Sequence, residues 1–309
     1  MEINIPPDLL RQLIQHTFGS KVEIVKQKIA NRHHDYLVLL LQLHRPSLDI
    51  VVKIAGPEAL MASSFDRTAM CHRLVSMHTT ITMPEILAVN MSFQTWPWRY
   101  LIKTYIPGLE WMIARQQMNT KELSSAYHQI GSGVAQLHGI QFPAFGELNL
   151  AGGVQGSGSF LTAFIERAQH SIHSARLREL FFSLLDKNTH LFLNIHQARL
   201  CHEDLHGHNI LFQYREEHWY LATILDFDKA WAGHHEIDLA RLEFWRGMTS
   251  AEFWESYKEN CLVDPLYEER RPIYQLLWCF EYAQSTPEHI MDTKQLCTKL
   301  GLICPEGFD

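Results

Sequence analysis

The chain has 309 residues, 46% of them hydrophobic and 20% charged, and a net charge of -7. That composition excludes a disordered or fibrous polypeptide, and the acidic balance leaves no global positive field to hold nucleic acid or an anionic membrane. The length exceeds one typical domain and calls for two domains or one unit with two lobes.

Pro6 and Pro7 lead into the apolar spacing of Leu9, Leu10, Leu13 and Ile14, which predicts a short helix ending near Gly19. From Lys21 to Ala55 β-branched and aliphatic residues dominate. Two runs, Tyr36 to Leu43 and Leu48 to Ile54, flank His44-Arg45-Pro46-Ser47 as a hairpin would. Ser64 to Met77 has helical spacing, and strands are expected at Pro84 to Val89 and at Arg99 to Tyr105. Pro107-Gly108 punctuates the chain, and the lobe boundary is placed there: residues 1–106 as a β-rich lobe, 107–309 as a mainly helical one. Thr120 to His138 is a long amphipathic helix. The glycine run from Gly152 to Gly158 is read as a flexible loop, because no Gly-Lys-Ser/Thr ends it. Helices follow from Phe160 to His196 and again from Asp238 to Leu302.

Six cysteines without a C-x-x-C pair and an N-terminus lacking the basic and apolar regions of a signal peptide point to the cytoplasm. The longest apolar run, Tyr36 to Leu43, is too short to cross a bilayer.

One hairpin inside the helical part carries the chemistry. Ile210 to Tyr214 and Trp219 to Leu225 flank the polar turn Arg215-Glu216-Glu217-His218. Antiparallel pairing places the start of one strand beside the end of the other. Asn209 and Asp226, seventeen positions apart, are therefore expected to converge and share a metal ion. An amide oxygen and a carboxylate are hard ligands that suit Mg²⁺ held with substrate phosphates. Asp204, five residues before Asn209, is free to accept a proton from an attacking hydroxyl.

His202-Glu203-Asp204-Leu205-His206-Gly207-His208-Asn209 and Ile224-Leu225-Asp226-Phe227-Asp228 together resemble the aminoglycoside phosphotransferase and choline kinase superfamily, relatives of protein kinases. The resemblance implies an α+β, two-lobed protein-kinase-like fold. It implies ATP and Mg²⁺, with Asp204 as catalytic base and Asn209 and Asp226 as metal ligands. It makes Lys53 the phosphate-binding lysine, and Tyr100 to Gly108, including Lys103 and Tyr105, the hinge that contacts adenine through backbone groups. Asp238-Leu239-Ala240 matches a later segment whose aspartate braces the catalytic loop; His202, His206 and Asp228 support it. The expected acceptor is a hydroxyl of a small molecule.

The sequence departs from the family in three places. The nucleotide loop Ile29-Ala30-Asn31-Arg32-His33-His34-Asp35 has no glycine, which leaves Asn31 and Arg32 to meet phosphate. The glutamate that pairs with the lysine falls near Arg67, with Asp66 and Glu58 as the acids at hand. Glu203 and His208 stand where glycines are common; Glu203 either binds a cationic substrate or points to solvent. These departures keep a second reading open, a catalytically weak kinase-like nucleotide-binding or scaffold protein. His234 and His235 are read as surface residues. Trp245, Trp254, Trp278, Tyr282, Glu243 and Glu281 either line an acceptor pocket or belong to the core.

Overall fold

Alternating leucines on a strand must bury one face, and the first sheet is built on that requirement. The structure, a computed structural model, describes residues 3–33, 35–59, 65–282 and 286–304. The chain divides into two compact units: residues up to Gly108 with Ala222–Asp228, and Leu109–Leu221 with Lys229 onward.

The first unit holds α1 (Pro7–Phe18), β1 (Glu23–His33), β2 (Tyr36–His44), β3 (Leu48–Ala55), α2 (Phe65–His78), β4 (Ile86–Asn90) and β5 (Arg99–Thr104). The strands form one sheet in the order β1-β2-β3-β5-β4, each pair antiparallel. Leu37, Leu39, Leu41 and Leu43 point to one face of β2 and are buried with Leu10, Leu13 and Ile14 of α1, the i, i+3, i+4 stripe of that helix. Ala55, Leu101 and Phe65 of α2 form a second apolar cluster.

The second unit follows with β6 (Leu109–Glu110), α3 (Trp111–Ala114), α4 (Thr120–Gly139), β7 (Gln141–Phe142), β8 (Phe145–Leu148), β9 (Val154–Ser157), α5 (Phe160–Ser171) and α6 (Ala175–Lys187). After these come β10 (Ala198–Cys201), β11 (Ile210–Arg215), β12 (His218–Ile224), β13 (Trp231–Gly233), α7 (Glu236–Phe244), α8 (Ala251–Asn260), α9 (Tyr267–Glu281) and α10 (Pro287–Lys299). Asn119 and Glu122 close a capping box at the start of α4, satisfying backbone donors that the first turn leaves unpaired. Gly131 lets α4 lie directly on α8, since a Cβ there would collide with the Phe253 carbonyl. Phe160, Phe164, Phe181, Phe192 and Tyr274 interlock beneath α5 and α9. No helix of the described residues is long and apolar enough to cross a membrane.

Two expectations are corrected. The segment after Gly152 is not a loop throughout: Val154–Ser157 is a strand, paired with β8 where Gly146 and Gly156 bring the two backbones together. The stretch from Ile29 onward is strand as far as His33, with a register shift between Ile29 and Asn31. What remains of the expected loop is a turn at Asp35; residue 34 lies outside the described residues, as does the expected helix start at Ser64.

Candidate active site

β11 and β12 meet at Glu216-Glu217, both left-handed (φ 49° and 62°), as a type I′ hairpin turn requires of its two central residues. Together with β6 they make a three-stranded sheet in the order β12-β11-β6. Asn209 immediately precedes β11, and Asp226 follows β12 by two residues.

In the first unit Lys53 sits on β3, an interior strand flanked by Val38 and Leu101, so its position is fixed on both sides. Its ammonium lies 2.6 Å from Asp226 Oδ1 and 3.6 Å from Asp228 Oδ2. Burial works against the lysine charge, but the two carboxylates outweigh it and hold the pKa well above its usual value. Burial likewise acts to raise the Asp226 carboxyl, and the Lys53 charge and hydrogen bond pull it far below the usual range. Asp226 is itself left-handed at φ 72°.

Among the described residues the carboxylates paired with Lys53 are therefore the two aspartates of the Asp226-Phe227-Asp228 turn, rather than Asp66 or Glu58. Asp66 Oδ1 accepts from Arg67 N–H, and Glu58 N–H donates to Asp35 Oδ2 at 2.7 Å. Helix α2 contributes in another way: Arg67 Nη2 donates to the Asp228 carbonyl at 3.1 Å and Thr68 donates to the Asp228 carboxylate. From the sequence, an acid is expected near Arg67, and neither residue is expected in this role.

Asn31 and Arg32, expected on a glycine-less loop, are exposed strand residues paired with Val38 and Leu37. The turn beyond them is anchored by Asp35, whose carbonyl accepts from Gly56 N–H. A side chain at Gly56 would collide with the Asp35 carboxylate. In the expected hinge, Thr104 N–H already donates to Glu85 O and Tyr105 N–H to Asp49 O, both at 2.9 Å. Tyr105 thus has its carbonyl and ring, rather than its N–H, to offer a nucleotide. Lys103 is buried, and burial together with repulsion from Lys53 lowers its pKa to about 8.

In the second unit the loop from His202 to Asn209 is suspended from one carboxylate. Asp238, fully buried on α7, accepts from His202 N–H and Glu203 N–H, each at 2.7 Å. His138 Nε2 stands 3.1 Å from the same carboxylate, and its Nδ1 is 2.7 Å from the Tyr257 hydroxyl, so the Nε2–H tautomer satisfies both partners. Burial would raise the Asp238 carboxyl; the hydrogen bond from His138, with that from the His202 backbone N–H, holds it below the usual range. The sequence contained His138 as part of Leu137-His138-Gly139-Ile140, but nothing in that motif named its partner.

Within the loop, His202 Nδ1 accepts from Asp204 N–H and His206 Nδ1 from His208 N–H, both at 3.2 Å. Asn209 Nδ2 donates to the Asp204 carbonyl at 2.9 Å and lies 3.4 Å from Asp204 Oδ2. Burial acts to raise the Asp204 carboxyl, and the His206 hydrogen bond with the Arg241 and Lys229 charges brings it below its usual value. Because the Asn209 amide nitrogen is committed to Asp204, its oxygen is the atom left for a cation, and an amide oxygen is a hard donor; in the first unit the ionised Asp226 carboxylate is another.

Glu203 does not face solvent. It is 3% exposed, adopts φ 59°, and takes Arg167 Nε at 2.8 Å and Nη2 at 2.6 Å. A glycine would adopt that conformation without strain, and here an ion pair and the Asp238 brace hold a glutamate in it. His208 points outward to Glu110.

His234 and His235 are buried, which corrects their reading as surface residues. With Glu236 they bring metal-type ligand atoms within 4.8 Å of one another; most of these atoms have partners, while His235 Nδ1 is buried with none among the described residues. Glu236 takes Arg270 at 2.8 and 2.9 Å, His234 meets the Tyr274 hydroxyl, and His235 meets the Leu262 carbonyl. Of the ambiguous aromatic and acidic residues, Trp245 is 38% exposed, with its ring 6.1 Å from that of His206 and 5.2 Å from Trp278. Glu281 and Tyr282 hold Lys229. Trp254 packs on Tyr257 and Tyr267, and Glu243 binds Arg271, which makes both structural.

The model of a phosphotransferase enzyme family matches residues 29–273. Among solved structures, a putative fructosamine-3-kinase from Thermobifida fusca is similar at 15% identity and TM-score 0.67, covering 96% of this chain and 99% of that one. A thermostable mutant of aminoglycoside phosphotransferase APH(4)-Ia, in a ternary complex with AMP-PNP and hygromycin B, is similar at 15% identity and TM-score 0.65, covering 94% and 96%. A Plasmodium vivax ethanolamine kinase is similar at 14% identity and TM-score 0.57, covering 94% and 84%. At these identities the likeness establishes the α+β kinase-like fold. No curated protein sequence was found to match the chain.

Proposed function

The chain belongs to the phosphotransferase enzyme family, and on that premise we propose that it moves the γ-phosphate of ATP to a hydroxyl of a small molecule in the cytoplasm. The acceptor class is an aminoglycoside-like antibiotic, an amino alcohol or a sugar. The observation that carries this reading is the catalytic loop hung from Asp238, which presents Asp204 and Asn209 as a bonded pair. AMP-PNP in a structure of the same fold makes ATP the first nucleotide to test.

In this reading the acceptor oxygen attacks the γ-phosphorus, the bond to the β–γ bridging oxygen breaks, and ADP leaves. The acceptor's proton passes to the Asp204 carboxylate. Lys53 holds the phosphates by charge, with Asp226 and Asp228 orienting its ammonium; Arg67 and Thr68 in turn hold Asp228. Asn209 and Asp226 would hold Mg²⁺, which would supply neutralisation of phosphate charge. Little covalent chemistry falls to the protein, so the rate comes from positioning and electrostatics.

ATP consumption across aminoglycosides, choline, amino alcohols and sugars tests the assignment. The parent turns over at least one class and Asp204→Ala does not; equal activity in both would sink it.

A second reading, a catalytically weak nucleotide-binding or scaffold protein, is favoured by one observation: the first hairpin lacks a glycine and closes through Asp35 rather than an open phosphate loop. It predicts no Mg²⁺-dependent rise in melting temperature with ATP, whereas the kinase reading predicts one.

A further inference from the structure

Asp238 and Arg241 lie three residues apart on α7, hence on one face of the helix. The first holds the catalytic loop by its backbone, and the second reaches the side chain of Asp204. Arg241 Nη1 is 3.7 Å from Asp204 Oδ1, and Nη2 is 3.6 Å from Glu281 Oε2. Both contacts are longer than the roughly 2.7–2.9 Å of a charge-assisted hydrogen bond.

Arg241 is only 5% exposed, yet its Nε and Nη1 find no hydrogen-bond partner among the described residues. It lines a small enclosed cavity with Glu203, Phe244, Trp278 and Glu281, and Glu203 Oε1 is also without a hydrogen-bond partner there. An arginine retained only for stability would be expected to satisfy its donors, because unpaired buried donors cost stability.

The other oxygen of Asp204 is held from the opposite direction. Asn209 Nδ2 is 3.4 Å and His206 Nε2 3.6 Å from Oδ2. Torsion of an aspartate carboxylate about its last bond is broad and two-fold, so a carboxylate that must face one substrate atom needs both oxygens restrained.

We propose that Arg241 is the positioning residue of Asp204: its guanidinium restrains Oδ1 from the buried side while Asn209 and His206 restrain Oδ2, fixing the plane of the carboxylate that receives the acceptor's proton. Glu281, which also binds Lys229 at 2.8 Å, keeps the guanidinium from closing fully onto Asp204. The inference rests on the reading of Asp204 as proton acceptor.

A double-mutant cycle separates positioning from mere support. The probe is single-turnover release of labelled phosphate from Mg-ATP with water as acceptor, in the full-length chain. Arg241→Met should slow the step by about 10- to 100-fold, the range expected for a misplaced catalytic group, with KM for ATP within about two-fold of the parent. Arg241→Lys, which keeps the charge but not the fork, should recover part of the loss. In an Asp204→Asn background, Arg241→Met should cost nothing more.

A parent-like rate for Arg241→Met overturns the proposal. So does an equal loss in both backgrounds, which is what a purely structural role predicts. If Arg241→Met does not fold, Arg241→Lys carries the same cycle with the same outcomes. A parent-like rate for Asp204→Asn would remove the reading of Asp204 itself, whereas a parent-like Arg241→Met beside an inactive Asp204→Asn removes Arg241 alone.

Discussion

Replacing Asp238 with asparagine removes the charge from which the catalytic loop hangs while barely changing volume. Its carboxylate accepts from His202 N–H and Glu203 N–H at 2.7 Å and faces His138 Nε2 at 3.1 Å. Hydrogen bonds to a charged group contribute about 1.5–3 kcal/mol each, and an amide keeps one acceptor oxygen while turning a donor toward at least one of these N–H groups. A loss of roughly 2–4 kcal/mol from the second unit follows, or about 5–15 °C in its melting temperature at about 2–4 °C per kcal/mol. Turnover should fall further than stability alone implies. Glu203 stays left-handed only while its N–H is held, and its relaxation would displace Asp204 by enough to cost on the order of 10²-fold in kcat. Thermal unfolding by calorimetry and steady-state turnover are measured together. An Asp238→Asn protein melting within about 0.5 kcal/mol of the parent and turning over at its rate would refute the brace.

Lys53→Met should abolish most of the rise in melting temperature that Mg-ATP gives the parent, which at a hundred-fold excess over Kd corresponds to about 2.7 kcal/mol; an undiminished rise would show that phosphate is held elsewhere. Gly131→Ala should destabilise the second unit by about 1–3 kcal/mol despite alanine's better helix propensity, because the added Cβ meets the Phe253 carbonyl; a gain in stability would contradict that packing. Acid should destabilise both units through buried histidines. Burial lowers His72 and His235 to about 3, and His234 also lies well below its usual value. Each is neutral when folded and protonated when unfolded below about pH 6.5. Stability is therefore unaffected above that pH and falls by up to about 1.4 kcal/mol per pH unit per histidine on the way down. Denaturant titrations at pH 7 and pH 5 measure this, and removal of His72 should flatten the slope of the first unit.

Where local pattern and tertiary contact agreed, the sequence was readable. Tyr36 to Leu43 alternates because one face of β2 is buried, and the hairpin from Ile210 to Ile224 is bounded by polar turn residues. Where the deciding contact is distant, it was not. Asn31-Arg32-His33 has turn composition but is held extended by pairing with Val38, Leu37 and Tyr36. Val154–Ser157 became a strand because two glycines allow its backbone to touch that of β8. The same distinction runs through the site. Asp204, Asn209, Asp226 and Asp238 stand in short motifs, whereas Lys53 and its partner Asp226 are 173 residues apart and the partners of Glu203 and Asp238 lie on α5 and α4. Burial of His234 and His235 depends on Tyr274, Arg270 and Leu262, which no spacing in the sequence announces.

The central claim is transfer of phosphate to a hydroxyl by way of Asp204, and following the γ-phosphorus itself tests it most directly. With Mg-ATP and each compound of the acceptor panel, ³¹P NMR should show a new phosphate monoester growing with the ADP signal in the parent and absent in Asp204→Ala. A monoester formed at the same rate by Asp204→Ala, or ADP and inorganic phosphate alone from the parent with every acceptor, would contradict the account.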